Sequence, residues 1–110
     1  MFHLFDRSDI PGIQPEQARE KQKAGAIVLD VREPSEWREG HIPGAVHIPL
    51  GSLPQQLSQL DPNKELVVVC RSGNRSMTAS QILHRAGYKV HNMSGGMMHW
   101  SRSGYPITKS

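Results

Sequence analysis

Cysteine is almost missing from this chain: Cys70 is the single example in 110 residues. One thiol excludes an intramolecular disulfide and every cysteine-based metal site, and it leaves any two-cysteine redox cycle dependent on a partner. Aromatics are scarce as well, with two each of Phe, Trp and Tyr. Lys and Arg outnumber Asp and Glu by 13 to 10, a net charge of +3. These cations are scattered, without the basic stripe and interleaved aromatics of a nucleic-acid surface. The excess reads as a solvated surface with a positive pocket that favours anions. No apolar run approaches the ~20 residues of a membrane span. Residues Met1 to Arg7 lack the apolar stretch of a secretory leader, so a cytoplasmic location is expected, one that suits a reactive thiol. None of the six histidines pairs at i, i+4 with an acid on a helix, so neither metal nor cofactor is expected.

What is present is organised around one stretch, Leu66-Val67-Val68-Val69-Cys70-Arg71-Ser72-Gly73-Asn74-Arg75-Ser76. The apolar run, three of it β-branched, reads as a short buried strand that delivers Cys70 into a polar loop. A helical pattern then begins, with Ala79, Ile82, Leu83 and Ala86 on one face and Gly87 to end it. Asn74 is the expected cap. A strand, tight loop and helix in this order aim backbone N–H groups at whatever the loop encloses. A cysteine there is expected to ionise below its ordinary value of about 8.5, helped by the helix terminus and by Arg71 and Arg75. Gly73 permits the positive φ of a tight curl, and Ser72 and Ser76 add hydroxyl donors. The alternative is a small structural thiol closing a buried strand, which would not need such a loop.

The remaining chain supplies a scaffold. Ile13 is at best a short strand. Pro15 to Ala24 has helix-forming propensity but a poor inward face, Ala18 and Ala24, with Lys21 lying along the surface. Ala26 to Val31 is a strong strand. Asp30 and Cys70 both stand at carboxyl ends of strands, which places them on one edge of a parallel sheet. Asp30 has three roles open to it: setting the charge of the pocket, orienting Arg32, or holding the turn together. Glu33 to Trp37 reads as a helical turn with Trp37 packed inward. His41 to Gly44 is a turn, with His41 structural; Val46 to Ile48 is a short strand. Ser52 is the expected cap of a helix bearing Leu53, Leu57 and Leu60. Gly87 to Met93 forms the last strand, Gly95-Gly96 turns sharply, and Met97, Met98 and Trp100 lie on a final short helix, offering an apolar rim beside Cys70. Strands alternating with helices give an α/β fold, an open parallel sheet covered on both faces. The whole of 1–110 is expected to be one domain, with an arm over 1–12, a core over 13–105 and a tail over 106–110.

The loop from Cys70 to Ser76 resembles the active-site loop of the rhodanese family of sulfurtransferases, in its single-domain bacterial form. Leu29 to Glu33, Glu36-Trp37, Gly40 to Ala45 and Ile48-Pro49 resemble the family's first signature, and Gly95 to Met97 with Trp100 its last. The resemblance covers about Ile13 to Tyr105 and implies a five-stranded sheet. It also implies that thiolate Cys70 attacks the outer sulfur of a donor such as thiosulfate, releases sulfite, and passes the resulting persulfide sulfur to a thiol or protein-cysteine acceptor. Residues Arg71, Ser72, Gly73, Asn74, Arg75 and Ser76 would bind the anionic donor, with Asp30 and Arg32 in support. Arg71 belongs at the mouth of the pocket; Arg75 either meets substrate or pins the loop to a carboxylate. Two alternatives share the fold. One is a persulfide carrier or binding module. The other is a Cdc25-like phosphatase or arsenate reductase, which needs a loop one residue longer, with arginine where this chain has Ser76.

Overall fold

The computed structural model describes residues 10–110. Five strands form one sheet: β1 (Gly12–Ile13), β2 (Ile27–Asp30), β3 (Val46–His47), β4 (Leu66–Val69) and β5 (Val90–Met93). Their order is β1-β5-β4-β2-β3 and every pairing is parallel. Chain order runs outward from β2 to β3 on one side and from β4 to β5 on the other. The carboxyl ends of β2 and β4 therefore flank the switch point, where open α/β sheets place their ligands. Asp30 is in register with Val69, so Cys70 follows one residue beyond the same edge.

Helices cover both faces: α1 (Pro15–Lys23), α2 (Pro34–Glu39), α3 (Asn74–Arg85) and α4 (Gly96–Arg102), with a 3₁₀ segment over Leu50–Gln59. The pleat of β4 sorts its side chains between two cores. Leu66, Val68 and Cys70 join Leu29, Leu53 and Leu83 on one face, while Val67 and Val69 join Ala18, Ile42 and Trp100 on the other. All four residues of β4 are fully buried. At about 1.5–3 kcal/mol for each buried Val or Leu, this strand is the anchor from which the loop departs. Among the described residues, no helix is long and apolar enough to cross a membrane.

Several local expectations change. Gly73, in the left-handed region at φ 114°, caps α3, and Asn74 is the first helical residue. The curl that brings the Gly73 N–H to the sulfur takes the cap position, so Asn74 has no cap to make. Pro49 caps the 3₁₀ segment, and Ser52 lies within it as the donor to the Pro49 carbonyl at 2.8 Å. Ala24 and Ala86, read as inward, are exposed positions at helix ends; the buried face of α3 is Ser76, Ala79, Ser80 and Leu83. Strand β3 stops at His47, and Ile48 enters the core. Trp37 is half-buried and stacks on His41 and His47 at 3.4 and 4.7 Å between ring centroids, outside the two cores.

Residues 1–9 of the expected arm lie outside the described residues, while Ile10 is buried in the core and Gly12 pairs with Asn92. Residues 106–110 do not trail away. Thr108 pairs antiparallel with His41, the Trp100 Nε1–H donates to the Pro106 carbonyl at 2.8 Å, and His41 Nε2 lies 2.8 Å from the Ser110 oxygen.

Candidate active site

Cys70 is 1% exposed and sits at the point where β4 becomes loop. Burial raises the pKa of a thiol by penalising its charged form. Here that effect is outweighed: the Ser76 hydroxyl and the N–H groups of Ser76, Gly73 and Ser72 hold Cys70 below its ordinary value. The Gly73 N–H donates to Sγ at 3.0 Å, and Sγ and the Ser76 Oγ are 3.3 Å apart. In the neutral form the thiol donates to Ser76; once ionised, the sulfur accepts from that hydroxyl. This cradle will hold a thiolate or the terminal charge of a persulfide. Backbone N–H groups fixed by a helix terminus need no reorganisation when charge develops.

The loop is gripped from outside. Met97 and Met98, in the first turn of α4, donate backbone N–H groups to the carbonyls of Cys70 (2.8 Å) and Arg71 (3.0 Å). This approach requires glycine at 96, where a Cβ would stand 2.5 Å from the Cys70 oxygen and 2.6 Å from Arg71 backbone. From β5, Asn92 Nδ2 reaches the Gly73 carbonyl at 3.4 Å.

The charged residues divide into those with partners and those without. Buried Asp30 accepts from the Arg32 backbone N–H at 3.0 Å and from its guanidinium at 2.7–3.1 Å. Arg32 also donates to the Gly40 carbonyl at 2.7 Å, so Asp30 both orients Arg32 and closes the turn. Arg75 forms a two-pronged pair with Glu36 at 2.7 and 2.8 Å. That contact joins α3 to α2 and holds the Glu36 carboxyl down at about 2. Two guanidinium nitrogens of Arg75 thus face one carboxylate. Arg71 and Glu39 are exposed and have no ion-pair partner among the described residues. A cavity of about 260 Å³ lies over the loop, lined by Arg32, Glu36, Glu39, Arg71, Met97 and Met98. A larger one, about 450 Å³, opens at the opposite, amino-terminal edge between Lys21 and Glu65. It contains no nucleophile, and its Lys21 and Glu65 are paired at 3.0 Å.

Sequence reasoning brought Cys70, its loop, Asp30 and Arg32 to one edge, and the structure places them there. The sequence did not tie Glu36, Glu39, Asn92 or Gly96 to the loop. Glu36 stands 39 positions from Arg75, and no local signal links the two. Asn92 reaches the loop only through the pairing of β5 with β4.

Fold and site together define a class: parallel α/β domains that present a cysteine nucleophile in a backbone anion cradle at the carboxyl edge of the sheet. A family model described as Rhodanese-like domain matches residues 14–103. The chain belongs to that family. It is 49% identical over 73 residues, 66% of this chain and 71% of the other, to a Bacillus subtilis (strain 168) protein named "Putative sulfurtransferase YtwF". It is 36% identical over 100 residues to "Thiosulfate sulfurtransferase GlpE" of Stutzerimonas stutzeri (strain A1501), covering 90% of this chain and 91% of that one. Among solved structures, a rhodanese-related protein from Thermoplasma volcanium superposes with a TM-score of 0.86 at 34% identity, covering 91% of this chain and 99% of that one.

Proposed function

We propose that the protein is a sulfurtransferase that takes a sulfane sulfur from thiosulfate, or a related persulfide donor, onto Cys70 and hands it to a thiol acceptor. The observation that carries this reading is the cradle: a buried sulfur faced by the Gly73 N–H at 3.0 Å and the Ser76 hydroxyl at 3.3 Å. The Cys70 thiolate attacks the outer sulfur of thiosulfate, the S–S bond breaks, and its electron pair leaves on sulfite. The new persulfide places its terminal sulfur about 2 Å beyond Sγ. An acceptor thiolate then attacks that terminal sulfur and Cys70 leaves as the thiolate. Arg71, exposed at the mouth, draws the dianion in. Arg75, occupied by Glu36, supports the loop. That same pairing counts against a phosphatase, which needs a free guanidinium against its oxyanion.

Intact-protein mass spectrometry tests the proposal. Thiosulfate is expected to add one sulfur atom to the wild type and none to Cys70→Ser, and cyanide to remove it as thiocyanate. Loading by a small-thiol persulfide but not by thiosulfate would support the carrier reading. No loading from either donor would overturn sulfur transfer altogether. Arg71→Ala is expected to raise the KM for thiosulfate several-fold while leaving the thiol reactive.

A further inference from the structure

Four charged side chains line the cavity beside the Cys70 loop, and two of them are already committed. Arg32 is held by Asp30 and the Gly40 carbonyl, and Glu36 by Arg75. The uncommitted pair is Arg71, on the loop, and Glu39, at the end of α2. The cavity thus offers one available cation and one available anion, with Met97 and Met98 as an apolar wall. Its volume of about 260 Å³ leaves room for more than a small inorganic anion. A dianion uses Arg71 and is repelled by Glu39. A second, larger reactant that carries both signs of charge satisfies both.

We propose that Glu39 selects the acceptor, and that the acceptor is a small thiol built on an α-amino acid. Its carboxylate meets Arg71, its ammonium group meets Glu39, and its carbon chain lies on Met97 and Met98. This rests on the sulfurtransferase reading above. The acceptor thiolate attacks the terminal sulfur of the Cys70 persulfide, forming a new S–S bond. The old S–S bond breaks with its electron pair on Cys70, which returns as the thiolate. The terminal sulfur carries its negative charge with it into the product persulfide, so atoms, charge and oxidation state balance. Glu39 touches neither sulfur; it chooses which thiol is delivered.

The test starts from wild-type and Glu39→Gln proteins preloaded with thiosulfate, each loading checked by intact mass. Discharge is then followed with L-cysteine, cysteamine and 3-mercaptopropionate, which carry both charged groups, the ammonium alone and the carboxylate alone. Dividing the wild-type by the variant rate for each thiol cancels that thiol's own reactivity. The expected result is a loss in Glu39→Gln of about threefold with L-cysteine and cysteamine, the size of an exposed ion pair, and no loss with 3-mercaptopropionate. Glu39→Lys enlarges the contrast by repelling the ammonium group. Equal changes for all three thiols, no change for any, or a loss confined to 3-mercaptopropionate would overturn the proposal. Failure to load at all would instead strike the sulfurtransferase reading on which it stands.

Discussion

At the scale of the residue, Cys70 sets two opposing effects against each other. Burial pushes its pKa up, and the Ser76 hydroxyl with the surrounding N–H groups pulls it down further. Alkylation by iodoacetamide is therefore expected to show a pH midpoint below that of an ordinary cysteine thiol, and Ser76→Ala to move that midpoint up; an unmoved midpoint would remove Ser76 from the cradle. Because the folded value lies below the unfolded one, ionised Cys70 adds stability above the unfolded pKa, and that contribution is lost as pH falls through the folded value. Asp30 is the other residue whose environment decides its effect. It is fully buried and carries the charge of buried Arg32. Asp30→Ala leaves that guanidinium without a counter-charge, so a loss of about 3–5 kcal/mol is expected in urea denaturation. A loss under 1 kcal/mol would mean that Gly40 and water compensate.

At the scale of the element, helices α4 and α2 brace the Cys70 loop and the start of α3. Helix α4 approaches so closely that Gly96, at φ 56°, has backbone of Cys70 and Arg71 within 2.6 Å of where a Cβ would stand. Backbone does not yield as a flexible side chain would, so Gly96→Ala is expected to cost about 1–3 kcal/mol and to slow persulfide formation. Full activity in that variant would show that the α4 grip is dispensable. Helix α2 acts through Glu36, whose carboxylate pins Arg75 and also accepts the Glu33 N–H at 2.9 Å. Its pKa, lowered from 4.5 to about 2, means that its contribution is present above pH 4.5 and lost as pH falls toward 2. The pair is partly exposed, so Glu36→Gln is expected to cost about 1 kcal/mol and to flatten the stability curve between those two pH values. An unchanged acid limb would assign the acid sensitivity to other carboxylates, with Glu65, also held at about 2 by Lys21 and His91, the next to replace.

At the scale of the whole molecule, residues 106–110 fold back over the turn at His41, outside the five-stranded sheet. Trp100 is tied to Pro106, and Thr108 exchanges backbone hydrogen bonds with His41 at 2.8 Å in both directions. Removing residues 106–110 is expected to lower the melting temperature by about 5 °C, the equivalent of roughly 1 kcal/mol in a domain of this size. An unchanged melting temperature would show these contacts to be incidental. This contribution could not be read from the sequence, because Ile107 and its neighbours carry no periodic pattern and pair with a turn far away in the chain.

The order of strands and helices, the parallel sheet, and the edge on which Cys70 and Asp30 stand all follow from local patterns: apolar runs, glycine punctuation and the rule that parallel strands end at one edge. The loop itself was legible because Cys70 to Ser76 is continuous in the chain. The tertiary structure alone decided which charges are available. Arg75 reads from the sequence as a cation beside the thiol, yet folding brings α2 against α3 and commits it to Glu36. Asn92, Gly96 and Glu39 gain their places near the loop only when β5, α4 and α2 pack around it. Short-range geometry is written in spacing along the chain. The pairing of charges depends on which surfaces meet, and that is set only once the two cores have formed.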